Sequence, residues 1–65
     1  MTIWDAIRSN RRKFPKGIVF RSIRNGELSK PMTEDKAKKY KDEWTPGWVA
    51  KFGYLFIDID RIVKE

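Results

Sequence analysis

Apolar residues are spaced in two ways along this chain. Near the start, Ile3, Ala6 and Ile7 recur at helical intervals, and Thr2 followed three residues later by Asp5 has the form of a capping box. A short helix over roughly 3 to 10 is expected, with Asn10 able to end it in a left-handed conformation. Pro15 forbids its continuation, because the proline ring disfavours a helical Phe14. From Gly17 the spacing changes. IVFRSIRNGEL is rich in β-branched and aromatic residues and contains Asn25-Gly26, the dipeptide of a type I′ hairpin turn. Strands at about 18 to 24 and 27 to 30 follow. Ile18, Phe20, Ser22 and Arg24 would face one way, and Val19, Arg21 and Ile23 the other.

After Pro31 the helical period returns. Thr33 is placed to cap a second helix running to about Trp44, with Glu34 and Asp35 in its first turn and Ala37, Tyr40 and Trp44 on one face. Glu34 with Lys38 and Asp35 with Lys39 are i,i+4 pairs. Thr45-Pro46-Gly47 has proline and glycine where a type II turn wants them. GYLFIDIDRIV, residues 53 to 63, is the most apolar run: Leu55, Ile57, Ile59 and Val63 line one face, and Tyr54 and Phe56 begin the other. A segment apolar on both faces reads as a central strand. The expected fold is a single small α+β domain over 1–65, ordered helix, hairpin, helix, strand, with an antiparallel sheet.

Length sharpens this picture. A chain of 65 residues is near the lower limit for folding alone, and it has no cysteine or histidine to supply a disulfide or a thiolate–imidazole metal site. Its core must come from rings and branched aliphatics, and nine aromatic residues serve that need. MTIWDAI lacks the flank and apolar run of a secretory signal, and no stretch reaches the roughly 20 apolar residues of a membrane span, so a cytoplasmic protein without membrane contact is expected.

Charge is distributed unevenly. In the first thirty residues Arg8, Arg11, Arg12, Lys13, Lys16, Arg21, Arg24 and Lys30 stand against only Asp5 and Glu27, whereas residues 31 to 65 carry seven of each sign. The whole excess of +6 therefore belongs to the first half. A window free of acidic side chains from Arg8 to Arg24 attracts polyanions. The candidate anion contacts are Arg8, Arg11, Arg12, Lys13, Lys16, Arg21 and Arg24. Phe14 and Trp48 are the candidate stacking rings, each with packing as the alternative, and Trp44 is expected to pack on the apolar helix face. Asp58 and Asp60 share a strand face without a third ligand, so their expected role is to answer the basic half across the sheet. Ser9, Ser22 and Ser29 have no histidine to activate them, no glycine-rich loop precedes a helix, and neither catalysis nor a metal nor another cofactor is expected.

The succession TIWDAI, RRKFPKGIVF, WTP and a closing hydrophobic-acidic stretch resembles the phage-encoded Thoeris anti-defence proteins, which sequester a cyclic nucleotide signal. The resemblance implies that Arg11, Arg12, Lys13, Phe14, Pro15 and Gly17 form the basic-aromatic step leading into a strand, where that family usually carries tryptophan instead of Phe14. Three functions are therefore open. One is a non-enzymatic domain binding DNA or RNA through its basic patch. Another is a phage-type inhibitor that captures a phosphate-bearing nucleotide or an acidic host-protein surface. The third is an assembly component whose charge serves solubility.

Overall fold

The computed structural model describes residues 1–63. The first helix, α1, spans Ile3–Ser9 and begins with the expected capping box: the Asp5 N–H donates to Thr2 Oγ1 at 3.2 Å, and the Thr2 N–H donates to Asp5 Oδ2 at 3.1 Å. Two further N–H groups of its first turn, on Ile3 and Trp4, donate to the carbonyls of Glu43 (2.8 Å) and Lys41 (3.0 Å). Orphan donors of a helix start are thus satisfied by a distant segment. Asn10 does not go left-handed. At φ −120° it turns inward, fully buried, and Nδ2 donates to the Ala6 carbonyl at 2.7 Å. The left-handed residue is Arg12, at φ 72°.

Three strands form one mixed sheet in the order β1-β3-β2: β1 is Gly17–Ser22, β2 is Trp48–Lys51 and β3 is Tyr54–Ile59. The α+β class, the single small domain and the central place of the last strand agree with the sequence reading, but the all-antiparallel sheet does not. β3 pairs in parallel with β1, from Gly17↔Tyr54 to Ser22↔Ile59, and antiparallel with β2, from Trp48↔Ile57 to Lys51↔Tyr54. Residues 27 to 30 do turn back beside β1, yet only as isolated bridges, Arg21↔Leu28 and Ile18↔Met32. There Ser29 Oγ, in place of a main-chain carbonyl, accepts from the Phe20 N–H. Pro31 and the poor strand residues Glu27, Ser29 and Lys30 account for this broken ladder.

The turns also differ from expectation. A type I′ turn needs positive φ at both central residues, and of Asn25-Gly26 only Gly26 has it, at 75°. The loop is closed instead by the Gly26 N–H donating to the Ser22 carbonyl, with Asn25 Oδ1 accepting from the Glu27 N–H. The two-residue turn with both central φ positive is Phe52-Gly53, at 55° and 81°, joining β2 to β3. Gly47 has no positive φ, so Thr45-Pro46-Gly47 is not a type II turn; the buried Thr45 hydroxyl holds it by accepting from the Gly47 N–H and donating to the Gly47 carbonyl.

The second helix is shorter than its pattern suggests. Thr33 caps it as expected, but α2 spans only Glu34–Ala37 and continues as a 3₁₀ turn, Lys38–Tyr40. Beyond Ala37 the bonds tighten to the i,i+3 pattern, with the Lys41 N–H donating to the Lys38 carbonyl and the Glu43 N–H to that of Tyr40, and the carbonyls of Lys41 and Glu43 turn to α1. Tyr40 packs edge-on against Phe20, with centroids 5.2 Å apart, whereas Trp44 lies 58% exposed, contrary to its expected place on the apolar face.

Both helices lie on one sheet face. Ile3, Ala6 and Ile7 of α1 and Ala37 of α2 meet Ile18, Phe20, Leu55, Ile57 and Ile59, all essentially buried, with Met32 beside them. Each such Ile, Leu or Phe contributes roughly 1.5–3 kcal/mol. The opposite face carries no helix. Replacing Phe52 with Asn, which suits the first position of a type I′ turn, should raise stability by about 1 kcal/mol. The check is a higher urea midpoint at unchanged slope.

Candidate functional site

The seven candidate cations divide into two groups. Arg21 Nε donates to Asp58 Oδ1 at 2.8 Å, Arg24 Nε to Asp60 Oδ1 at 3.3 Å and Arg8 Nη2 to Asp5 Oδ1 at 3.1 Å. The parallel β1/β3 register sets Arg21 opposite Asp58, so the window lacking acids in sequence is not acid-free in space. The hydrogen bond and charge of Asp58 raise the Arg21 pKa above its ordinary value. These are exposed pairs, which orient side chains more than they stabilise the fold.

Arg11, Arg12, Lys13 and Lys16 form no ion pair among the described residues, and all four are exposed. Arg11 to Lys13 occupy a turn closed by the Lys13 N–H donating to the Asn10 carbonyl at 2.9 Å, with Arg12 in the left-handed position that glycine or asparagine usually takes. The Arg11 guanidinium carbon stands 5.9 Å from the Trp4 ring centroid, and Lys38 Nζ stands 5.6 Å from the same ring. Lys16 belongs to a second turn. Its N–H donates to the Gly53 carbonyl at 2.9 Å, and its stem lies where a Cβ on Gly53 would sit, 3.1 Å away.

Of the candidate rings, Phe14 is half-buried against the core while also lining a hollow of about 410 Å³ with Arg11, Arg12, Pro15 and Glu34. Trp48 sits on β2 at 36% exposure, and its register opposite Ile57 assigns it to the helix-covered face. Asp58 and Asp60 answer Arg21 and Arg24, as the sequence suggested. Among the described residues no group of three or more carboxylates could hold a metal ion, and no helix is long and apolar enough to cross a membrane.

A second cluster was not singled out as a site in the sequence. On the open sheet face, Tyr54 and Phe56 lie with centroids 6.0 Å apart and planes at 53°. Lys16 Nζ is 5.9 Å from the Tyr54 centroid, and Lys51 Nζ is 5.6 Å from that of Phe52 and 5.9 Å from that of Phe56. Phe52 is 76% exposed. The alternation in YLFID signals the two strand rings, but Lys51 and Phe52 join them only through the β2–β3 hairpin, whose turn lacks an Asn-Gly signature.

The Asp5 carboxylate accepts from the Thr2 backbone N–H, from the Thr2 hydroxyl and from Arg8, and these hold its pKa below the ordinary 3.8. A lowered folded-state pKa contributes stability that is present above the unfolded value and lost as pH falls through the folded one. Carbon-detected NMR titration should therefore put the Asp5 midpoint below 3.8, and Asp5→Asn should flatten the acid limb of the stability curve in that window. No protein-family model, curated protein or solved structure matches this chain.

Proposed function

We propose that this is a non-enzymatic protein that binds nucleic acid through the phosphate backbone, using Arg11, Arg12, Lys13 and Lys16. One observation carries the reading: Arg8, Arg21 and Arg24 are each matched to an aspartate, while these four successive cations are left without an ion-pair partner among the described residues. Unpaired cations on an exposed turn are free to displace counterions from a polyanion. No recognition helix accompanies them, since α1 buries Ile3, Ala6 and Ile7 against the sheet and α2 has a single turn. Binding would be governed by phosphate contacts and tolerant of sequence.

Capture of a single phosphate-bearing nucleotide, the activity implied by the resemblance to Thoeris anti-defence proteins, is a second reading. The hollow beside Arg11, Arg12 and Phe14 favours it. Glu34 lines the same hollow, while Lys13 and Lys16 lie outside its lining, so the extended-backbone reading, which uses all four cations, is preferred.

With about four phosphate contacts, single-strand affinity should fall roughly 50-fold between about 50 and 200 mM salt. Arg11→Glu, Arg12→Glu and Lys13→Glu together should remove most of that dependence while leaving the circular dichroism spectrum unchanged. Anisotropy titrations at two salt concentrations decide the matter. Salt-insensitive binding would count against the proposal, and a mononucleotide binding as tightly as an oligonucleotide would favour capture.

A further inference from the structure

We propose that the open sheet face is a stacking platform for a single-stranded nucleic-acid segment, with Phe52, Tyr54 and Phe56 receiving unpaired bases and Lys16 and Lys51 meeting the phosphates beside them. This rests on the nucleic-acid reading above and adds the strand state and a second contact surface.

The geometry suits that occupant. Tyr54 and Phe56 alternate on the central strand, so their rings stand side by side on one face. Phe52 adds a third ring at the same end of the sheet. Each ring has an ammonium over it within 6 Å of its centroid, Lys16 over Tyr54 and Lys51 over Phe52 and Phe56, and a base that stacks there displaces the ammonium to the phosphate beside it. Aromatic faces accept the π-face of any base, and flanking cations accept the backbone that links them. Stacking needs bases out of the duplex, so the surface selects single strands. Asp58 and Asp60, the acidic residues that follow Tyr54 and Phe56 on this face, are engaged by Arg21 at 2.8 Å and by Arg24 at 3.3 Å, which leaves little charge to repel a phosphate.

Backbone conformation points the same way. Phe52 holds φ 55°, a left-handed position unfavourable to a side-chain-bearing residue, while its ring stays 76% exposed. The fold gains nothing from burying that ring. Lys16 connects the two surfaces, since the hydrogen bond from its N–H to Gly53 joins the basic segment to the hairpin that displays Phe52.

The test uses Phe52→Asn, which retains the turn, and Phe56→Leu, which retains apolar volume without a ring. Each is titrated at two salt concentrations against a short fluorescent oligothymidylate and against a duplex of equal length. Single-strand affinity should drop about tenfold for each variant, with duplex affinity changed less than about twofold and the salt slope preserved, since no charge is lost. Unchanged single-strand affinity in both variants, alongside loss in the Arg11/Arg12/Lys13 triple variant, would overturn the platform and leave the phosphate reading standing. Equal weakening on duplex would also overturn it, as would a wild-type dimer that these variants convert to monomer in sedimentation. If the wild-type chain binds no nucleic acid, both proposals fall.

Discussion

β3 has apolar side chains on both faces and only one layer of helices to cover them. Leu55, Ile57 and Ile59 are buried under α1 and α2, and the opposite face keeps Tyr54 and Phe56 without a helix above them. In so short a chain, a second covering layer would need residues already spent on the first. The rings are partly shielded instead by long cationic side chains, Lys16 and Lys51, whose ammonium groups stand 5.9 Å from the centroids of Tyr54 and Phe56 respectively. Partial shielding by lysines makes the uncovered face positive. The size limit and the candidate chemistry thus share an origin.

Local features of the fold were legible in the sequence. The capping box at Thr2 and Asp5, the Thr33 cap and the two-faced apolar run around Leu55 each depend on neighbours within a few positions, and each is found. Features that depend on distant partners were not. The second helix gives way to a 3₁₀ turn although its periodicity runs on to Trp44, and the carbonyls of Lys41 and Glu43 beyond it receive the first N–H groups of α1. The parallel pairing of Gly17 with Tyr54 leaves no trace in either segment alone. Asn25-Gly26 carries a strong hairpin signature but is followed by residues that pair poorly, whereas Phe52-Gly53 carries a weak one and closes the actual hairpin. Here the flanking strands decided the turn.

The candidate site was legible to a similar degree. An excess of positive charge in residues 8 to 24 is a fact of the sequence, yet which charges remain unpaired depends on the β1/β3 register. Asp58 and Asp60, more than thirty residues away, remove Arg21 and Arg24 from the free set. What survives is the shorter segment Arg11 to Lys16, held in place by a turn on Asn10 and a hydrogen bond to Gly53. Phe14, within it, divides its surface between the core and the hollow beside Arg11, so the connector and the contact are one segment.

Among the described residues, only Arg12 and Phe52 take positive φ without being glycine, and both are exposed. Each costs free energy that asparagine or glycine would spare, and neither side chain repays it by burial. One lies in the turn that displays the unpaired cations, the other in the turn at the end of the ringed face. Lys16 bridges the segments that contain them. Strain without a packing return, recurring at both parts of one candidate surface, is the pattern expected when the identity of the side chain matters more than the stability of the turn that carries it.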